Sequence, residues 1–152
     1  TALYDRHRST NMRPFATRRF RIADSAQQVV GGFLLAGPFV VTEEVWVLAT
    51  DMSLLQSLST VVIVFAIGYA TLYKAADRDP DDEFELGGIP ARFISLMLVA
   101  YGAVAILALA FGAPDTFLDD LTGIDRLVVT LKAISVGAVF SVVGAATADS
   151  VF

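Results

Sequence analysis

The residues best equipped for chemistry in this sequence are two adjacent carboxylates, Glu43 and Glu44. They sit in the stretch Gly37-Pro38-Phe39-Val40-Val41-Thr42-Glu43-Glu44-Val45-Trp46, within a segment from Val29 to Ala49 that is otherwise almost wholly apolar. Burying an acid at the centre of a hydrocarbon layer costs about 2.5–3.5 kcal/mol on insertion scales, so such groups face a partner, water or a cation. Neighbouring residues on a helix point about 100° apart, so one cation cannot easily face both glutamates. Glu44 shares its face with Gly37 and with Val40 or Val41, where the kink glycine makes a close approach or a wet cavity easiest to build. Glu43 shares its face with Ala36, Phe39 and Val40. Glu44 is therefore the expected ion or proton site, with Glu43 and Thr42 beside it. Left there without a partner, it would take up a proton.

The elements that must position these groups are membrane helices. Of the 152 residues, 55 % are hydrophobic, and the mean hydropathy is +0.64. Long apolar stretches account for that value and leave little chain for a soluble domain. The pattern predicts an all-α, polytopic membrane protein: a basic tail over residues 1–23, then a four-helix transmembrane domain over 24–152. The spans are expected at about 28–49, 54–73, 91–111 and 127–148, lengths that suit a hydrocarbon core of about 30 Å. Asp24-Ser25-Ala26-Gln27 resembles an N-cap with Gln at the third helical position. Pro38 should kink the first span, because its ring removes a donor and crowds the Leu34 carbonyl. Trp46 suits the outer interface, with its ring apolar and its N–H wet. Pro90 should open the third span.

Two cations stand near the carboxylates in this topology. Lys132, on the fourth span, lies at a depth similar to Glu43 and Glu44, and Arg126 lies a little over a turn away. If the first and fourth helices are neighbours, Lys132 or Arg126 forms an intramembrane ion pair with one glutamate. Ala133, Gly137, Ser141 and Ala145 recur every four residues on one face of the fourth span. Small residues at that spacing let two backbones approach, in this chain or between copies.

The polar segments set orientation and exclude other chemistry. Nine of the eleven Lys and Arg residues lie in the N-terminal tail and the loop Lys74–Arg92, which places both termini in the cytoplasm. The tail lacks the apolar core of a signal peptide, and topology accounts for its arginines without nucleic acid. The loop alternates Asp77, Asp79, Asp81, Glu83 and Glu85, but the calcium-loop pattern fails: Asp82 occupies the glycine position and Gly88 the bidentate glutamate position. The outer loop Gly112–Asp125 should carry a short acidic surface helix that Gly123 caps. The net charge of −5, with a pI near 4.6 and acids that are mostly Asp, suggests a surface hydrated in concentrated salt and hence a halophilic archaeon. Cysteine is absent and His7 is the one histidine, which removes disulfides, thiolate metal sites and histidine triads.

Pro38, Thr42, Glu44 and Trp46 together resemble the Pro-x-x-x-Thr-x-Glu-x-Trp signature of an uncharacterised family of integral membrane proteins of halophilic archaea and cyanobacteria. The explicit match is confined to the end of the first span, and the hydropathy pattern agrees over most of the chain. Glu43 departs from a position that is apolar in the family. The resemblance implies membrane class and a Glu44 site, with no activity attached.

The functional expectation is a cation channel or ion-coupled transporter of the cell membrane, with a non-transporting scaffold or accessory subunit as the alternative. No nucleophile–base pair or phosphate loop can be assembled, so neither enzymatic activity nor a cofactor is expected. The expected partners are the lipid bilayer, a cation and further copies of the chain in a homo-oligomer. No metal is assigned.

Overall fold

The computed structural model describes residues 22–75, 85–86 and 89–151. The arginine-rich tail up to residue 21 and most of the acidic loop lie outside the described residues. Six helices follow in order: α1 (Ile22–Val40), α2 (Glu43–Asp51), α3 (Leu54–Tyr69), α4 (Ala91–Ala110), α5 (Ala113–Phe117) and α6 (Gly123–Val151). A π-helical turn, Ala70–Ala75, extends α3, and a two-residue antiparallel ladder pairs β1 (Glu85–Leu86) with β2 (Ile89–Pro90) ahead of α4. Among the described residues three segments are long and apolar enough to cross a membrane: Leu54–Tyr73, Ala91–Ala110 and Gly123–Asp149. The pair Ser25–Val40 and Glu43–Asp51 makes a fourth if counted as one broken span.

The first span differs from the expected kinked helix, for its two pieces meet at 80°. Pro38 stays inside α1, which stops two residues later at Val40. The β-branched run Val40-Val41-Thr42 loses side-chain freedom in a helix, and Thr42 offers its backbone another partner. Its hydroxyl and its N–H both donate to the Phe39 carbonyl, at 2.9 and 3.3 Å. Thr42 itself is extended, with φ −100 and ψ 135. The chain then restarts as α2. The start of α1 also departs from expectation: Asp24 is already inside the helix, and the Ser25 hydroxyl bonds Ser95 at 3.1 Å instead of capping a helix end.

The bundle is built on α6, half of whose span is buried, against 11 % for α3. The reason is side-chain size. A Cβ on Gly31 would overlap the carbonyl oxygen of Gly144, and one on Gly144 would overlap that of Gly31, so α1 and α6 meet backbone to backbone. One turn away the Ser141 hydroxyl donates to the Gly32 carbonyl at 3.3 Å. Gly137 lies against Val104 of α4, Ala133 belongs to the buried cluster that includes Trp46 and Val40, and Ala145 to the one that includes Leu96 and Leu72. The small residues of α6 thus take their partners from within the chain. Phe39 and Phe140 stack beside this seam, centroids 3.7 Å apart.

Local signals set the remaining ends. Ser53 and Gln56 form a reciprocal capping box on α3: the Ser53 oxygen accepts from the Gln56 N–H at 3.2 Å, and the Ser53 N–H donates to Oε1 of Gln56 at 2.8 Å. Pro90 stands immediately before α4 and not at its first residue. Gly123 does not close the short acidic helix α5; it takes φ +61 at the first residue of α6. The apolar side chains left outside, among them Leu34, Leu54, Leu55, Leu98 and Leu109, form the surface that lipid covers.

Replacing Gly31 by Ala should destabilise the bundle by about 1–3 kcal/mol, because neither backbone can retreat. Replacing Gly37 by Ala, where a Cβ meets nothing within 4 Å, should be neutral or slightly stabilising. Thermal unfolding of the two variants in one detergent checks the contrast, and equal losses would contradict the packing.

Candidate functional site

The break between α1 and α2 determines where the two glutamates point. A helix ending at Val40 leaves its last carbonyls without intrahelical donors. Trp46 supplies one: its Nε1–H donates to the Val40 carbonyl at 3.0 Å. The ring is 2 % exposed and stacks on Phe117, centroids 5.9 Å apart. Trp46 is therefore an internal clamp of the break, not the wet interfacial anchor its position in the sequence suggests. With Val45, Trp46 and Ala49 turned inward against Val104, Ala108, Val129 and Ala133, the opposite face of α2 carries the acids.

Glu43 and Glu44 are both exposed. With Val47, Leu48 and Asp51 they line an open groove of about 370 Å³. Both acids lie in the first turn of α2, where the free amides of the helix N-terminus favour negative charge. Gly37 has open space before it and no close neighbour, so Glu44 does not follow a tight approach of helices.

The two cations are engaged elsewhere. The Lys132 ammonium donates to the Met52 carbonyl at 2.8 Å. Met52 is the C-cap of α2, so the lysine bonds a terminal carbonyl where a positive charge also suits the helix dipole. Arg126 pairs with Asp115 at 2.6 Å, and its Nε donates to the Leu121 carbonyl at 2.9 Å. Among the described residues no salt bridge joins Glu43 or Glu44 to either base, and no three acids or other ligating side chains converge as a metal centre. Thr42 is adjacent to the glutamates, but its hydroxyl is committed to Phe39.

At the other end of the bundle lies a polar cluster that the sequence reading passed over. Arg92, second residue of α4, bonds both oxygens of Asp149 near the end of α6 at 2.8 Å, with the two side chains 4 % and 0 % exposed. One turn along α4 the Ser95 hydroxyl donates to Oε1 of Gln28 at 2.7 Å, and Gln28 is fully buried. The available signal was topological. Antiparallel spans bring the starts of α1 and α4 to the end of α6, and Gln28, Arg92 and Asp149 are the polar residues next to those three apolar runs.

A double-mutant cycle of Glu44→Gln and Lys132→Met in thermal unfolding should be additive within about 0.5 kcal/mol, as for groups with separate partners. Strong coupling would mean the two pair after all. Trp46→Phe should cost about 1–3 kcal/mol by leaving the Val40 carbonyl unsatisfied in the packed core. Asp149→Asn should cost about 3–5 kcal/mol by removing the buried countercharge from Arg92, and Arg92→Met alongside should recover part of that loss. Independence of those last two substitutions would contradict the pair.

No curated protein and no solved structure is matched by the chain. The apolar helices, the lipid-facing leucines and the interrupted span all suit a protein embedded in a bilayer. The family described as "Putative integral membrane protein (DUF2391)" matches residues 5–151, nearly the whole sequence, and the chain belongs to that family.

Proposed function

We propose that the protein handles a cation or proton at the carboxylates of α2, as an ion channel or ion-coupled transporter of the cell membrane. Glu44 is the principal group, with Glu43 and Thr42 beside it. One observation carries this reading. Among the described residues, the helix that interrupts a span exposes two glutamates with no salt bridge to Lys132 or Arg126, which are bonded to other groups.

The positive-inside rule puts the arginine-rich tail and second loop in the cytoplasm, and α2 at the outer end of the bundle. The nineteen residues of α1 rise about 28 Å at ~1.5 Å each, close to the ~30 Å hydrocarbon thickness. With its 80° turn, α2 then runs along the outer boundary, where its exposed acids reach water. The core of one copy is closed by the contacts of Gly31 with Gly144 and of Gly137 with Val104. A route past the glutamates therefore lies on the outer face of α2, between copies of a homo-oligomer. The acidic composition fits a halophilic archaeon. No catalytic step and no cofactor enter this reading.

The closed core also supports a second reading, a non-transporting scaffold or accessory subunit whose exposed α2 face meets another protein. Ion flux into liposomes made with the purified protein separates the two. Transport predicts flux of a common cation or of protons that falls about tenfold in Glu44→Gln, the loss of about 1.4 kcal/mol of interaction, and less in Glu43→Gln. Absence of flux for sodium, potassium and protons would overturn transport and leave the scaffold.

A further inference from the structure

The cluster at the inner end of the bundle contains an amide that its protein neighbours do not satisfy. Gln28 is 0 % exposed. Its Oε1 accepts from the Ser95 hydroxyl, and its Nε2 is buried with no hydrogen-bond partner among the described residues. On the adjacent residue Oε1 of Gln27 is likewise buried and unpartnered. Turning the Gln28 amide over does not remove the deficit. Ser95 Oγ could then accept from Nε2, but Oε1 would be left over in its place. A buried amide left so is costly, and in structures such groups pair with protein or with ordered water.

We infer that this end of the bundle holds an internal water, bound by the Gln28 side-chain amide beneath the Arg92–Asp149 pair. Three features select water over an ion. The group that binds it is neutral, and either orientation of the amide needs a partner, an acceptor in one case and a donor in the other; water is both. The two charges brought to the same end already neutralise each other through a two-oxygen contact. The second buried orphan, on Gln27, is an acceptor, so the unsatisfied atoms at the start of α1 comprise one donor and one acceptor. The Ser95 hydroxyl that serves the amide is also bonded to Ser25, at 3.1 Å. Such a water belongs to the structure in the way buried waters commonly do, bridging groups that the chain cannot pair. It is independent of the carboxylate site on α2, at the other end of α1.

Water-edited solid-state NMR of the uniformly ¹³C,¹⁵N-labelled protein in a lipid bilayer tests this. The Gln28 side-chain amide, assigned sequentially through the Gln27-Gln28 step, should receive magnetisation from water at short mixing times, as the exposed Gln56 does. Backbone amides of Val64 and Val142 in the packed core should not. A Gln28 amide as dry as Val64 and Val142 would overturn the inference. So would a cross-peak from its nitrogen to a side chain of residues 1–21 or 76–84, which would put protein where water is assigned.

Discussion

Gly31 and Gly144 touch through their backbones, and the bundle is arranged around that contact. In lipid the hydrophobic effect gives helices little reason to associate, so packing must come from close fit. Two glycines facing each other bring α1 and α6 to a separation that no side chain permits. Around it, Ser141 reaches the Gly32 carbonyl, Phe140 lies flat on Phe39, and α4 closes on both helices through Val104. By contrast α3 stays at the periphery, where Gly68 admits Met97 and Val142 and most of the remaining side chains face outward.

A second constraint governs the ends of α2. Backbone groups in or near hydrocarbon must be satisfied by the protein itself, and a broken span creates two new helix ends at once. The Val40 carbonyl is taken by Trp46, the Phe39 carbonyl by Thr42 and the Met52 carbonyl by Lys132. Each partner is a side chain that the sequence offers for a different purpose: an interfacial aromatic, a polar neighbour of a carboxylate, a countercharge for glutamate. Backbone carbonyls claimed all three first, and the glutamates were consequently left outside.

How much of this was legible follows from the physics of each feature. The helical class and the membrane setting were legible, since each is a property of composition or of segment length; the closest contact was not, since Gly144 lies one residue off the face marked by Ala133, Gly137, Ser141 and Ala145. The break was legible only as a kink at Pro38, because whether Val41 and Thr42 stay helical depends on Trp46 finding Val40 in the folded chain. Lys132 or Arg126 was matched with one of the glutamates because charges are visible in sequence and free carbonyls are not. The polar end cluster joins residues 57 and 67 positions apart, and only the folded topology brings them together. The carboxylates Glu43 and Glu44 were expected to face a partner, water or a cation within a span, and the structure places both exposed on α2, because the helix break turns that face outward.

The glutamates themselves exceed what the fold requires of them. An acid in the first turn of a helix contributes roughly 0.3–1 kcal/mol through the dipole, and one such residue, or a capping hydroxyl, would meet that need. Thr42 stands at the cap position yet spends its hydroxyl on Phe39, which makes one carboxylate in the first turn reasonable. It does not explain two, nor Asp51 on the same exposed face of α2. Along this helix the structural demands fall on Val45, Trp46, Ala49 and Met52, which are buried, and on Lys132, which holds its far end. The acids are thus the part of α2 that packing leaves free. The proposed cation or proton site would account for this excess of exposed carboxylate beside a lipid-facing surface, where two like charges one residue apart otherwise gain nothing from being adjacent.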